Sequence, residues 1–121
     1  MSQVSIKDVV AYSEKPMPLG PFVTPPERLV SGDPEQGIAN YVTDMEGRLL
    51  SGVWQSTAGK WKAVSERREF CYIIQGEVTI RDAEGKGKHF VAGDAFMLPY
   101  GFDGFWEVPE FCEKYYVILQ D

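Results

Sequence analysis

From residue 37 onward, apolar and polar positions alternate in short bursts separated by Gly, Asp and Pro. The bursts are GIANYVT (37–43), RLLSGVWQ (48–55), KWKAV (60–64), EFCYIIQ (69–75), EVTIRD (77–82), GKHFV (87–91), AFMLP (95–99), GFWEV (104–108) and EKYYVIL (113–119). Each is rich in β-branched and aromatic residues and short enough to be a strand. Turn chemistry stands between them: Asp44 to Gly47, Gly59, Gly76, Glu84 to Gly87, Gly93-Asp94, Tyr100 to Asp103, and Pro109-Glu110. No window sustains apolar residues at i, i+3, i+4 and i+7, so no amphipathic helix is predicted. Many short strands at near-regular spacing predict an all-β sandwich or barrel.

Residues 1–36 read differently. Six of the eight prolines lie there, at 16, 18, 21, 25, 26 and 34. Proline fixes φ and removes a backbone donor, so this stretch forms neither a long helix nor a central strand. The expectation is an extended, Pro-rich N-terminal arm with short strand pieces, followed by one β-barrel domain over 37–121. An arm of this kind frays or docks, and docking across a homodimer interface is the predicted arrangement.

Composition adds bounds. The chain has 121 residues, one ordinary domain, large enough to bury a core without staples. Its net charge of −6 excludes a nucleic-acid partner as the expectation, since phosphate binding needs a clustered basic surface. Arg67 and Arg68 are flanked by Glu66 and Glu69, which cancel them. No apolar run approaches the ~20 residues that span a bilayer, and the N-terminus lacks a leader pattern, so a cytoplasmic protein without a membrane partner is predicted. The two cysteines, Cys71 and Cys112, are too few for a zinc site and read as buried thiols.

Two stretches resemble the cupin motifs. Gly59, and Glu69 followed after six residues by Gly76, fit the first motif; Gly93-Asp94-Ala95-Phe96-Met97-Leu98-Pro99-Tyr100-Gly101 fits the second. The wording GVWQSTAGKW, EFCYIIQGEVTI, GDAFMLPYGFDGFWEV and KYYVIL is similar to small single-domain cupins of the ureidoglycine aminohydrolase and ethanolamine-utilisation group. The resemblance covers roughly residues 48–119. It implies a double-stranded β-helix, the jelly-roll barrel, often dimeric, with a pocket inside. It also implies a metal held by one glutamate and three histidines, and here this sequence departs. The region of the first two histidines reads KAVSERRE, the third position is Gly104, and the one histidine, His89, lies elsewhere. No metal and no cofactor are therefore predicted.

Glu69 is the central candidate. Strand alternation puts Glu69, Cys71 and Ile73 on one face, which by resemblance lines the pocket. Inside an apolar barrel the carboxyl is expected to have a raised pKa and to serve as an acid/base or as an acceptor for a ligand. The alternative is a retained carboxylate paired with Lys62, Arg67 or Lys114. Trp54 and Trp106 are further candidates for the pocket wall, with Trp61 in the core. Cys71 lies on the pocket face as a small buried hydrophobe. Lys62 and Lys114 are placed to neutralise Glu69 or hold an anionic substrate. Alternation sends one of Tyr115 and Tyr116 inward, and Tyr116 is carried as the pocket-lining candidate.

The functional expectation is a cupin that binds a small molecule around Glu69. The alternatives are a metal-independent hydrolase, lyase or isomerase of a small polar metabolite, and a metal-dependent enzyme of ureidoglycine aminohydrolase type.

Overall fold

The computed structural model describes residues 3–14 and 18–121. The part of the arm around Pro16 lies outside the described residues. Eight strands form one antiparallel sheet: β1 (Gly20–Phe22), β2 (Leu29–Gly32), β3 (Gln36–Asp44), β4 (Leu49–Val64), β5 (Arg68–Asp82), β6 (Gly87–Val91), β7 (Ala95–Leu98) and β8 (Asp103–Leu119). The order is β1-β3-β4-β8-β5-β6, with β2 on β4 and β7 on β5. The fold is all-β, as the alternation of the sequence predicts, and it is the jelly roll that the cupin resemblance implies. Among the described residues there is no α-helix and none long and apolar enough to cross a membrane.

Three long strands carry the architecture. β8 runs between β4 and β5 along its length. The first half of β4 also pairs with β3 and its second half with β2. The first half of β5 pairs with β7 and its second half with β6. Each long strand therefore belongs to both walls of the roll, and the core lies between them.

The sequence divides each long strand in two, at Gly59, Gly76 and Pro109. The structure keeps each one continuous and uses those residues as irregularities. The β4–β8 register shifts between Thr57 and Gly59, and the β5–β8 register shifts on either side of Gly76. Pro109 and Glu110 pair with neither neighbour, so the missing proline N–H removes no ladder bond. Gly76 has φ +81°, and a Cβ there would stand 1.9 Å from the Phe111 carbonyl oxygen. Glycine bends the strand at this point; it does not end it.

These irregularities decide what faces inward. Side chains alternate with period two, so a one-residue shift reverses the face. Trp54 and Trp61 are seven positions apart, an odd separation, yet both are buried. The shift after Thr57 makes this possible. In β5 the inward set runs Glu69, Cys71 and Ile73, then changes parity to Val78 and Ile80 past Gly76. In β8 the two unpaired residues preserve parity, and Trp106, Val108, Cys112, Lys114, Tyr116 and Ile118 all point inward.

The segment ahead of residue 37 contributes β1 and β2 to this same sheet. Gly20 pairs with Ile38, and Leu29 with Trp61. Phe22 meets Trp54 edge-on at 6.3 Å between ring centroids, and Pro34 packs over Gly59.

Candidate functional site

The cross-strand register assembles the site. Trp54 of β4 lies directly opposite Lys114 of β8, and Trp61 opposite Trp106. On the other side of β8, Cys71 lies opposite Tyr116 and Glu69 opposite Ile118. Lys114 Nζ donates to Glu69 Oε2 at 2.6 Å and to Cys71 Sγ at 3.6 Å. The Cys71 thiol also donates to Glu69 Oε2, at 3.3 Å. The ammonium lies 4.0 Å from the Trp106 ring centroid and 4.8 Å from that of Trp54. Trp61 stacks on Trp106 at 6.5 Å, which braces the far side of the indole. One cation is thus enclosed by a carboxylate, a thiol and two indole faces.

This arrangement settles the pairing of Glu69. The partner is Lys114, and both side chains are nearly sealed from solvent. Lys62 instead lies on the exposed rim, with Nζ 3.7 Å from Asp103. Burial pushes the Glu69 carboxyl up, but the charge and hydrogen bond of Lys114 and the Cys71 thiol outweigh it. The result lies below the ordinary carboxylate value of 4.5. The expectation of a raised pKa is corrected on this point: the barrel supplies a buried cation as well as apolar walls. Burial pulls Lys114 down, and the acidic groups facing it push it back above its ordinary value. Cys71, held up by burial to about 12, is a neutral thiol at physiological pH, so Glu69 is the charge that retains the ammonium.

The pair is not fully closed. Glu69 and Lys114 line a cavity of about 660 Å³ with Trp54, Trp61, Trp106 and Tyr116 on its walls. Lys114 uses its protons on Glu69, Cys71 and the indole face. Glu69 Oε1 carries no hydrogen bond from a described residue and is not among the sealed, unpartnered atoms. It is therefore an acceptor on the cavity side. The Tyr116 hydroxyl donates to Asn40 Oδ1 at 2.8 Å, and burial helps raise its pKa to about 12, so the ring rather than the hydroxyl serves the wall.

Of the residues singled out in the sequence, Trp54, Lys62, Glu69, Trp106, Lys114 and Tyr116 all reach this cavity. Cys71 touches the pair but stands behind it, fully buried, and does not line the cavity. His89 is exposed and bonds Glu77 at 2.9 Å, away from the site. Arg28 and Gln120 also line the cavity and have no counterpart in the sequence reading; Arg67, named there among the partners of Glu69, lines it without an ion pair to that carboxylate. In the run ERRE the charge of Arg67 cancels on paper, and only the turn before β5 sets it on the cavity wall. Trp61, placed in the core by its sequence, serves both core and wall.

The residues do not fit the metal that the cupin resemblance implies. Among the described residues no three His, Cys, Asp or Glu side chains cluster to hold an ion. The donors at the centre are one carboxylate and one neutral thiol, with an ammonium between them that repels a divalent cation. At the third histidine position, Gly104, a Cβ would stand 2.0 Å from the Arg81 carbonyl oxygen and 2.7 Å from the Phe102 ring. The backbone at this point has no room for an imidazole.

A jelly roll with an inward-facing glutamate on its fifth strand and a pocket between its walls defines a cupin. A profile of the EutQ-like cupin domain matches residues 43–116, and the chain belongs to that family. Solved structures share the fold. A protein of unknown function from Pseudomonas syringae pv. tomato, of the DUF861 family, superposes with a TM-score of 0.77 at 24% identity, over 85% of this chain and 45% of its own. The Clostridium difficile EutQ protein gives 0.65 at 20% identity, over 71% and 63%. A candidate ethanolamine utilization protein Q from Salmonella typhimurium LT2 gives 0.63 at 23% identity, over 70% and 69%. The chain thus spans less than half of the Pseudomonas protein. No match was found among curated proteins.

Proposed function

We propose that this protein binds a small polar metabolite inside the barrel, with Glu69 Oε1 accepting a hydrogen bond from the ligand and the tryptophans covering its body. The observation that carries this reading is the unfilled acceptor of an ionised, buried carboxylate on the wall of an aromatic-lined cavity. Such a pocket has the size and the mix of apolar wall and few polar groups that small ligands use. Lys114 fixes the carboxylate and keeps it charged. Native mass spectrometry of the full chain tests the reading. The expected result is a bound metabolite, or saturable quenching of tryptophan emission by members of a small polar fragment library. A chain that carries no adduct and quenches with no fragment overturns it.

A second reading is a metal-independent hydrolase, lyase or isomerase in which Glu69 takes the proton. It is favoured by the same open oxygen, which is ionised at neutral pH and so ready to accept. The depressed pKa makes it a weak base until a ligand draws Lys114 away. The metal-dependent ureidoglycine type has no support in the donor set.

The assembly proposed is a homodimer through the N-terminal arm. Val4, Ile6 and Val9 expose 84%, 82% and 64% of their surface, an uncovered apolar edge on a described segment. Tyr12 anchors that segment by stacking on Tyr41 at 4.8 Å, meeting Tyr115 edge-on at 5.4 Å and hydrogen bonding Ser51. It is thereby fixed beside an outer sheet face where Phe70, Tyr72, Val117 and Leu119 are also exposed. Reciprocal exchange of the two uncovered surfaces satisfies both in a twofold dimer. Light scattering is expected to give twice the 13.6 kDa chain mass, and the doublet Ile6→Asp/Val9→Asp to give the monomer. A monomeric native chain sinks the proposal.

A further inference from the structure

The mouth of the cavity is cationic in a chain that is acidic overall. Four cations line the cavity as a whole, Arg28, Lys62, Arg67 and Lys114, against three carboxylates, Glu66, Glu69 and Asp121. Most of these charges are already committed. Glu69 is taken by Lys114 and Lys62 stands by Asp103. Asp121 is held by Arg68, whose guanidinium lies outside the cavity at 3.3 Å and over the Tyr100 ring. The guanidinium groups of Arg67 and Arg28 remain, with no side-chain hydrogen bond or ion pair to a described residue, and Glu66 is the one lining carboxylate left without a committed partner. Arg67 is half-buried in the turn before β5, and its positive charge reaches inward to Glu69 and Tyr116. A half-buried guanidinium on a cavity wall, with five donors and no side-chain partner, is placed to receive an anion.

Resting on the binding reading above, we infer that the ligand is a small carboxylate, its anionic end held by Arg67 with Arg28 beside it and its body on the tryptophan wall. The two ends of the site then ask for different chemistry. The mouth offers planar forks of N–H donors, which match a carboxylate in bidentate fashion. The inner end offers an acceptor, Glu69 Oε1, and rejects a second carboxylate by like charge. The buried lysine does not hold the anion, because its protons are spent. The carboxylate therefore points outward and a donor group, such as an amine, amide or hydroxyl, points inward.

Three probes of one shape and different charge test this: benzoate, benzamide and benzamidinium. Each is titrated against the full chain by tryptophan emission, with saturation-transfer NMR as a second readout. Benzoate is expected to bind about tenfold more tightly than either of the others, a difference of about 1.4 kcal/mol. Arg67→Gln is expected to lose about that factor for benzoate alone. Lys88→Gln, an exposed cation that does not line this cavity, keeps native affinity and serves as the control. Equal binding of all three probes, or benzoate affinity unchanged in Arg67→Gln, overturns the carboxylate inference and leaves the pocket reading standing. Binding by none of them at millimolar concentration overturns both.

Discussion

Replacing Lys114 with methionine lowers the stability of the fold by about 3–5 kcal/mol, because it strands a buried carboxylate without its counter-charge. Methionine keeps most of the volume between Trp54 and Trp106, so the loss reports charge more than packing. The pH dependence identifies the cause. In the native chain the Glu69 carboxyl lies below its ordinary value of 4.5. Its contribution is therefore complete above 4.5 and is lost as the pH falls through the depressed value. Without Lys114, burial becomes the dominant influence on Glu69 and raises its pKa. The fold then prefers the protonated form, and stability rises as the solution is acidified. Urea denaturation of Lys114→Met is expected to show greater stability at about pH 5 than at about pH 8, where the native chain is flat. The double replacement Glu69→Leu/Lys114→Met recovers most of the loss, since neither charge is left alone. A single variant with native stability at both pH values contradicts the pairing.

The second large effect is at Trp106. Truncation to alanine is expected to cost about 3–5 kcal/mol. The indole stacks on Trp61, meets Trp54 edge-on at 5.7 Å and lies under the Lys114 ammonium at 4.0 Å. Its loss removes a buried wall and one face of the cage at once. The void opens into the existing cavity, so water enters and Lys114 gains solvent. Trp106→Phe separates the two contributions: it refills much of the wall and restores a ring face, and is expected to recover about half the loss. Thermal or urea unfolding measures both. Equal stability of Trp106→Ala and the native chain removes the tryptophan cage from this account.

Part of the site is legible in the sequence for simple reasons. A lone glutamate followed by alternating apolar positions says that a charged side chain faces inward, and Glu69, Cys71 and Ile73 do share the buried face. Trp54, Trp106, Lys114 and Tyr116 follow from the same alternation on neighbouring strands. What the pattern does not contain is distance across strands. Three lysine or arginine partners for Glu69 are equally compatible with the residue order, and only the β5–β8 register selects Lys114. The pKa of Glu69 inverts for the same reason: burial is readable from hydrophobicity, whereas a counter-ion 45 positions away in the chain is not.

The alternation of the chain determined an all-β sandwich or barrel and a shared face for Glu69, Cys71 and Ile73, because side-chain direction in a strand depends only on local period; the jelly roll, the inward glutamate and the missing histidine ligands came from the resemblance of its motifs to cupins. Tertiary structure decided the rest. Gly59, Gly76 and Pro109 carry turn-like chemistry, but long-range pairing absorbed them as bends within continuous strands, where neighbouring backbones supply the hydrogen bonds that a turn would have left to water. Those bends reversed the facing of Trp61 relative to Trp54, brought Lys114 between the indoles and left Arg67 at the mouth. Each of these depends on which strands meet and in what register, and that is settled by the packing of the whole chain.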